Sequence, residues 1–306
     1  MDNFLKRDMK SLREEEIETK IDQVITIFRF ITDKDIFENY YKIHVSKRLL
    51  NAKSLSDDVE KLILRKLKSE CGYQFTAKIE GMFTDINLSA ETMDDFSKVE
   101  QLPGMELDVK VLTAGFWPSD SSMHAPLPWY LRAHADFFME FYLSRHTGRK
   151  LAWKTGLGTA DIRARMGPNR VKHEFIMSTY QMYVIMLFNT YDTLTVLDIS
   201  DELQIPAREL DKHILGLVAT KILTKNTRGK DISDESILTL NVDYSSKLYR
   251  QTIPIIQKKE KEQEKDIAVP QMVEEDRKHL MEAVIVRIMK SRRKVEHNTL
   301  MAEVSK

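Results

Sequence analysis

Apolar residues return every three or four positions through the first hundred residues, and this period constrains the fold more than any other feature. The pattern is clearest at Ile17, Ile21, Val24, Phe28 and Ile31. Such spacing places apolar side chains on one face of an α-helix. Only 10 glycines and 8 prolines occur among 306 residues, so few positions interrupt a helix. The sequence therefore predicts a mainly α fold, with an all-helical bundle over residues 1–100.

Residues 101–178 change character and predict a small mixed α/β module. Residues 107–113 alternate apolar and polar side chains, which is the period of a half-buried strand. A helix is expected from about Trp129 to Arg145. Three strand-like pieces punctuated by glycines follow this helix, at residues 150–154, 159–166 and 171–178.

Residues 179–256 have the pattern of a winged helix, here called winged helix A. Three short helices are expected, at Thr179–Asn189, Leu194–Leu203 and Ala207–Ala219. A tight turn at residues 204–206 separates the last two, and a β-like pair ends at residues 237–241. Helix, turn, helix and a β-wing in this order define the winged-helix pattern.

The segment at residues 257–270 has almost no apolar side chain and is expected to be a solvated, mobile charged linker. Beyond it, residues 271–306 hold the helix that carries Lys290 and a last amphipathic start, from Asn298 to Val304, which is cut off at Lys306.

The stretch from Asp276 to Lys290 predicts a helix that presents one lysine to solvent. Five apolar side chains share one side of the helical wheel, where burial is expected: Leu280, Met281, Val284, Ile285 and Ile288. Lys290 falls close to the opposite side, with Val286 four residues before it. Arg287, Arg293 and Lys294 add positive charge around it. A solvated basic face explains most lysines in such a setting, so the wheel alone assigns no function.

Composition excludes several classes of protein. The 47 basic and 47 acidic residues cancel to a formal charge of +0, which gives no overall attraction to nucleic acid or to an anionic membrane. No apolar run approaches the length of a membrane span, and the N-terminus lacks a signal-peptide core. The single cysteine and the absence of C-x-x-C or H-x-x-x-H spacing argue against a disulfide or metal site. We expect no metal, cofactor or membrane partner, and a location in the cytoplasm and nucleus.

Two other functions would each require a particular set of residues. A ubiquitin-transfer enzyme would use Cys71 as its nucleophile, but Cys71 lies among apolar residues with no histidine nearby, so a structural cysteine is favoured. A winged-helix nucleic-acid-binding protein would need a basic recognition helix. Acids and bases balance in residues 206–214, which favours protein packing there. The more basic stretch around Lys290 leaves nucleic-acid contact weakly open.

Several motifs occur in one order along nearly the whole chain. They are Asp33-Lys34-Asp35-Ile36-Phe37-Glu38-Asn39-Tyr40-Tyr41, Lys78-Ile79-Glu80-Gly81-Met82-Phe83-Thr84-Asp85-Ile86, Val111-Leu112-Thr113-Ala114-Gly115-Phe116-Trp117-Pro118 and Arg287-Ile288-Met289-Lys290. On these motifs the chain resembles the C-terminal half of a cullin. Residues 54–58 and 297–304 look most like the type of cullin that uses BTB-domain adaptors.

The resemblance implies a fold of four-helix bundle, α/β module, winged helix, linker and a second winged helix, winged helix B. Residues 271–306 are then the start of winged helix B, whose later helices and wing are missing from this sequence. The resemblance also implies a non-catalytic scaffold of a cullin–RING ubiquitin ligase, with no catalytic residue of its own. The family's N-terminal repeats, which bind substrate adaptors, are absent from this sequence. We therefore expect that the chain alone recruits no substrate.

The implied partners are a zinc-binding RING-box protein, a ubiquitin-like modifier with its conjugating enzyme, and a ubiquitin-conjugating enzyme recruited through the RING. By motif, the acceptor lysine of the modifier falls on Lys290. The RING-box protein adds a strand to the family's α/β sheet, and the expected platform comprises Leu107, Val109, Val111, Thr113, Trp117, Leu151 and Trp153. A winged-helix nucleic-acid-binding protein stays as the alternative.

Overall fold

The computed structural model describes residue 5 and residues 13–51, 56–100, 102–118, 125–226, 232–256 and 259–304. The chain divides into two compact units. The first unit contains Met1–Met93, Val109–Ser119 and Glu260–Lys306, and the second contains Asp94–Asp108 and Asp120–Lys259. The described residues are mainly helical with a small sheet portion, as the sequence predicts.

Four consecutive helices form most of the first unit: α1 (Glu14–Arg29), α2 (Lys34–Leu50), α3 (Asp57–Cys71) and α4 (Tyr73–Ser97), of which the last four residues belong to the second unit. Ser56 caps α3, because its hydroxyl accepts a hydrogen bond from the amide of Val59 at 3.4 Å. The apolar stripe that the sequence places on α1 is buried at Ile21, Ile25 and Phe28. These side chains pack with others from α2, α3 and α4 into one core, which includes Val45, Leu67, Ile79 and Met82.

Two further helices follow late in the chain, α9 (Lys259–Arg292) and α10 (His297–Val304), and all their residues except Lys259 belong to the first unit. The predicted charged linker at residues 257–270 requires a correction, since residues 259–270 form the first part of α9. Residues 257 and 258 lie outside the described residues. Lys, Glu and Gln dominate this segment and are good helix formers, so its lack of apolar residues does not by itself indicate a linker.

The second unit contains a hairpin that carries a third strand. Strands β1 (Thr159–Met166) and β2 (Val171–Ser178) pair antiparallel, and β6 (Arg250–Thr252) pairs with β2 in parallel, giving the order β1-β2-β6. Gly167 has a φ of 77°, and a Cβ there would lie 2.4 Å from the carbonyl oxygen of Tyr244. Glycine is therefore required at this turn. Helix α5 (Trp129–Arg145) precedes the hairpin, with the bounds that the sequence predicts.

A second sheet in this unit is built around three short helices, α6 (Thr179–Leu187), α7 (Val196–Leu203) and α8 (Ala207–Ala219). Its strands are β3 (Thr193–Thr195), β4 (Leu223–Lys225) and β5 (Ile237–Leu240), in the antiparallel order β3-β5-β4. Gln204 takes the left-handed conformation with a φ of 53°, which ends α7 at the predicted turn. Buried side chains of all three helices share one core, including Tyr183, Val184, Ile199, Leu210, Ile214 and Leu217.

Two predicted strands are wrong. Residues 107–113 and 150–154 are extended, but within the described residues neither pairs with a strand. Alternation of apolar and polar side chains indicates only that one face of an extended segment is buried. It does not show whether the backbone amides bond to another strand or to side chains.

Candidate functional site

The predicted acceptor, Lys290, lies in the last turn of α9 and is exposed to solvent. It lines a shallow open groove together with Ala283, Val286, Arg287 and Ser291. Val286, four residues earlier on the same face, is 49% exposed. The helix ends two residues later, where Arg293 is left-handed with a φ of 58° and its amide donates to the carbonyl of Met289 at 2.8 Å. An ion pair of 2.7 Å between Arg292 and Glu303 links this end to α10.

The apolar side of this helix, predicted to be buried, is largely exposed. Leu280 is 67% exposed and Met281 is 52% exposed, Ile285 is also exposed, and only Val284 and Ile288 are half-buried. The expectation of a buried stripe therefore fails in this structure. The period of the pattern was correct, but burial also needs a facing element, which a helical wheel does not supply.

A charged cluster holds the middle of α9 against the bundle. The guanidinium of Arg277 donates to both carboxylate oxygens of Asp35, at 2.5 and 2.6 Å, and to Asp33 at 2.8 Å. Asp33 is the N-cap residue of α2 and Asp35 lies in its first turn, where the helix dipole favours negative charge. Hydrogen bonding from Arg277 holds the pKa of Asp35 below its ordinary value. Val273, one turn earlier, is buried. Lys290 lies thirteen residues beyond Arg277, which is about 20 Å along the helix.

The platform residues of the first unit are anchored on α4 by a regular set of hydrogen bonds. The amide of Thr113 donates to Asp85 at 2.7 Å, and the amide of Val111 donates to the hydroxyl of Ser89 at 2.8 Å. The amide of Val109 approaches the sulfur of Met93 at 3.4 Å. Steps of two residues along the extended chain thus match steps of four along the helix, and the two run in opposite directions. Every second amide is used in this way.

Asp85 is the centre of this arrangement. Its buried carboxylate also accepts from the Thr113 hydroxyl at 2.8 Å and from the indole nitrogen of Trp117 at 2.8 Å. One turn earlier on α4, a Cβ on Gly81 would lie 2.5 Å from the ring of Phe116, so the absence of a side chain at Gly81 leaves room for that ring. The motif at residues 111–118 is therefore a loop locked onto α4. The sequence shows the motifs at residues 78–86 and 111–118 but not their pairing. The spacing of Gly81, Asp85, Ser89 and Met93 along one helix face is the signal that could have predicted it.

The platform residues of the second unit are Leu107, Leu151 and Trp153, and all three are half-buried. The Trp153 ring lies 6.2 Å from the ring of Phe138 on α5. The indole nitrogen of Trp153 is buried and has no hydrogen-bond partner among the described residues. The seven predicted residues thus fall in two units. Four are placed along α4 by the bonds above, and three belong to the second unit.

The described residues hold no group of three or more side chains that could bind a metal ion. No helix in the described ranges combines the length and apolar character that a membrane span requires. Burial raises the pKa of the half-buried Cys71 thiol, which disfavours the nucleophilic thiolate. The cysteine therefore lacks the environment of a reactive nucleophile.

Helix α8, the candidate recognition helix, turns its apolar residues inward. Leu210, His213 and Ile214 are buried, and Lys212 forms an ion pair with Glu209 within the helix. Burial opposes ionisation of Glu209, but the neighbouring His213, whose Nε2 lies 3.9 Å from the carboxylate, and the ion-paired Lys212 outweigh it and lower the pKa of Glu209 to about 2. A permanently negative carboxylate on this helix is unfavourable for phosphate contact.

Comparison with known proteins identifies the class to which these units belong. Residues 1–93 match the family description "Cullin alpha solenoid domain", and residues 111–244 match "Cullin alpha+beta domain". The chain belongs to the cullin family, which confirms the resemblance drawn from its motifs.

Three similar relatives carry the name Cullin-3 or Cullin-3A. The chain is 43% identical to Cullin-3A of Arabidopsis thaliana over 312 residues, which cover 100% of this chain and 42% of that relative. It is 39% identical to Cullin-3 of Dictyostelium discoideum over 348 residues and 36% identical to Cullin-3 of Caenorhabditis elegans over 339, covering 45% and 44% of those proteins. The chain therefore spans less than half the length of the relatives it matches.

Proposed function

We propose that this protein is a non-catalytic scaffold subunit of a cullin–RING E3 ubiquitin ligase. Membership of the cullin family and the Cullin-3 relatives support this role. The proposed partners are a RING-box protein, a ubiquitin-like modifier with its conjugating enzyme, and a ubiquitin-conjugating enzyme held by the RING. The proposed place of action is the cytoplasm and nucleus.

The observation that carries the proposal is the solvent exposure of Lys290 near the end of a helix. The amine of Lys290 would attack the thioester carbonyl that joins the modifier to its conjugating enzyme. An isopeptide bond forms, and the cysteine thiolate of that enzyme leaves. Exposed apolar side chains beside the lysine, such as Val286 and Met289, offer contact area to the enzyme that delivers the modifier.

The test is modification of the purified chain with the modifier, its activating enzyme and its conjugating enzyme. Lys290→Arg keeps the charge and removes the nucleophile, so we expect loss of the mass shift by mass spectrometry. Lys294→Arg is the matched control, because Lys294 is also exposed and lies four residues away. Equal modification of the Lys290→Arg variant would refute the assignment of the acceptor.

The order of elements in residues 179–256 supports a winged helix as the identity of the predicted winged helix A. Three helices and a small antiparallel sheet in the order β3-β5-β4 match the pattern of that module. Its balanced helix α8 supports a protein-binding or structural role. Nucleic-acid binding, the alternative reading, is not favoured.

A further inference from the structure

Ser291 carries an exposed hydroxyl directly after the proposed acceptor Lys290, and the two side chains line the same open groove. The Oγ of Ser291 donates to the carbonyl of Ile288 at 2.8 Å, which is an ordinary hydrogen bond for a serine in a helix. Among the described residues, this hydroxyl bonds to no other side chain. The fold therefore does not depend on it, and it is accessible from solvent.

The eight residues from 287 to 294 concentrate positive charge around this hydroxyl. They contain five basic side chains and no acidic one, in a chain whose formal charge is +0. All five are exposed to solvent: Arg287, Lys290, Arg292, Arg293 and Lys294. Within the described ranges only Arg292 has an ion-pair partner, Glu303 at 2.7 Å. Unpaired positive charge of this density attracts an anionic surface, such as the substrate cleft of an enzyme that selects basic substrates.

The backbone at Ser291 lies close to the end of α9, where it can leave the helix at little cost. Arg292 is the last helical residue, and residues 293–296 connect α9 to α10 without helical structure. Arg293 is left-handed with a φ of 58°, which is unfavourable for a residue with a side chain. The carbonyls of a final helical turn also lack partners within the helix. An enzyme that binds its substrate as an extended chain can therefore bind the chain around Ser291 without unfolding the rest of α9.

A phosphate on Ser291 would have cations within reach. Negative charge near the C-terminal end of a helix is unfavourable by itself, so a phosphate there needs such partners. Arg287 lies four residues earlier on α9, a spacing that brings two side chains together on one face. Lys290 is the adjacent residue and lines the same groove. Arginine and lysine pair with phosphate oxygens through charge-assisted hydrogen bonds, and an amine held in that way is not free to attack a thioester.

We propose that Ser291 is a phosphorylation site for a protein kinase that selects basic substrates, and that its phosphate suppresses modification of the neighbouring Lys290. In the phosphorylation step, the Oγ of Ser291 attacks the γ-phosphorus of ATP, the bond from that phosphorus to the β-γ bridging oxygen breaks, and ADP leaves. The hydroxyl proton passes to the catalytic aspartate of the kinase. The second half of this inference rests on the proposed function, since it regulates the same lysine, whereas the first half does not.

The first test incubates the purified chain and ATP with a panel of kinases that select basic substrates, and separately with a kinase that selects acidic ones. Mass spectrometry should find phosphate on Ser291 only after treatment with kinases of the first kind. Ser291→Ala should lose that phosphopeptide, and Arg293→Gln combined with Lys294→Gln should slow its formation, because both changes remove positive charge beside the serine. Absence of phosphate on Ser291 across the panel would overturn the proposal.

The second test follows the phosphate itself by phosphorus NMR and needs no modification assay. The second pKa of a free phosphoserine is about 6, and pairing with cations should lower it. Arg287→Gln should return the titration toward that value. A phosphate that titrates in the wild-type chain as it does in free phosphoserine makes no ion pair in the groove, and the proposed suppression of Lys290 would then be wrong.

The third test compares the phosphorylated and unphosphorylated chains in the assay with the modifier, its activating enzyme and its conjugating enzyme. The phosphorylated chain should be modified roughly tenfold more slowly, since two negative charges about 4 Å from an exposed ammonium stabilise it by at least this factor in water before salt screening. The difference should shrink as salt is added. Kinase-treated Ser291→Ala is the matched control and should be modified at the same rate as the untreated variant.

Equal rates for the two forms of the wild-type chain would overturn the regulatory half of the proposal. If neither form is modified at Lys290, the proposed function fails and the regulation fails with it. The first two tests still decide in that case whether Ser291 is phosphorylated and whether its phosphate pairs with the basic side chains around it.

Discussion

Replacement of Asp85 by Asn should loosen the loop at residues 109–118 from α4. The buried Asp85 carboxylate accepts three hydrogen bonds, from the amide and hydroxyl of Thr113 and from Trp117, at 2.7–2.8 Å. Hydrogen bonds to a charged group contribute about 1.5–3 kcal/mol each, and neutral ones about 0.5–1.5 kcal/mol. Asn keeps one acceptor oxygen for the Thr113 amide and the Trp117 indole, and its amide group faces the Thr113 hydroxyl, which must turn to accept. Replacing three charged hydrogen bonds by neutral ones lowers the free energy of unfolding by about 3–5 kcal/mol.

Urea denaturation followed by circular dichroism measures this loss, and hydrogen exchange of residues 105–118 locates it. The amides of Val111 and Thr113 should exchange much faster in the variant. Asp94→Asn is the control, because Asp94 lies on the same helix and is exposed, and a change within about 0.5 kcal/mol is expected there. If Asp85→Asn unfolds at the same urea concentration as the wild type and leaves exchange in the loop unchanged, Asp85 does not anchor it.

Two further predictions concern buried charge. Arg48 and Glu60 form a fully buried ion pair at 2.6 Å. Arg48→Met should therefore lower the free energy of unfolding by about 3–5 kcal/mol in thermal and urea denaturation, and the double variant with Glu60→Leu should recover most of that loss. Equal stability of the single and double variants would contradict this. Burial lowers the pKa of His213, so the unfolded chain binds its proton first and stability should fall as the pH drops below about 6.5, by at most about 1.4 kcal/mol per unit. Glu209, with a pKa of about 2, changes the stability with pH only below about pH 4.5. His213→Gln should flatten the profile between pH 7 and 5, and an unchanged slope would refute the assignment.

Helices were the most predictable part of this fold. Helices α5 and α8 begin and end at the predicted residues, because proline precedes each start and the apolar period runs through each helix. The hairpin of β1 and β2 was also predictable, since Gly167 and Pro168 interrupt two strand-like runs. These signals act over a few residues and need no knowledge of the rest of the chain.

Features that depend on a distant partner were not predictable from pattern alone. The alternation at residues 107–113 was correct, yet its amides bond to Asp85, Ser89 and Met93 of a helix and to no strand. The stripe on α9 has the right period but remains exposed at Leu280 and Met281. The exposure of Lys290 was predictable because it follows from helical geometry, whereas its proposed role as an acceptor rests on motif resemblance.

The extended segment at residues 109–113 and helix α4 have repeat lengths that are nearly, but not fully, equal. Two residues of extended chain advance about 6.6 Å, whereas four residues of helix advance about 6.0 Å, so each repeat adds a mismatch of about 0.6 Å. The amides of Thr113 and Val111 lie 2.7 and 2.8 Å from oxygen acceptors, and the amide of Val109 lies 3.4 Å from the sulfur of Met93, an ordinary distance for the larger sulfur atom. A fourth repeat would increase the mismatch. A longer extended segment should therefore gain no further contact of this kind, and tighter anchoring has to come from the three existing contacts at Thr113, Val111 and Val109.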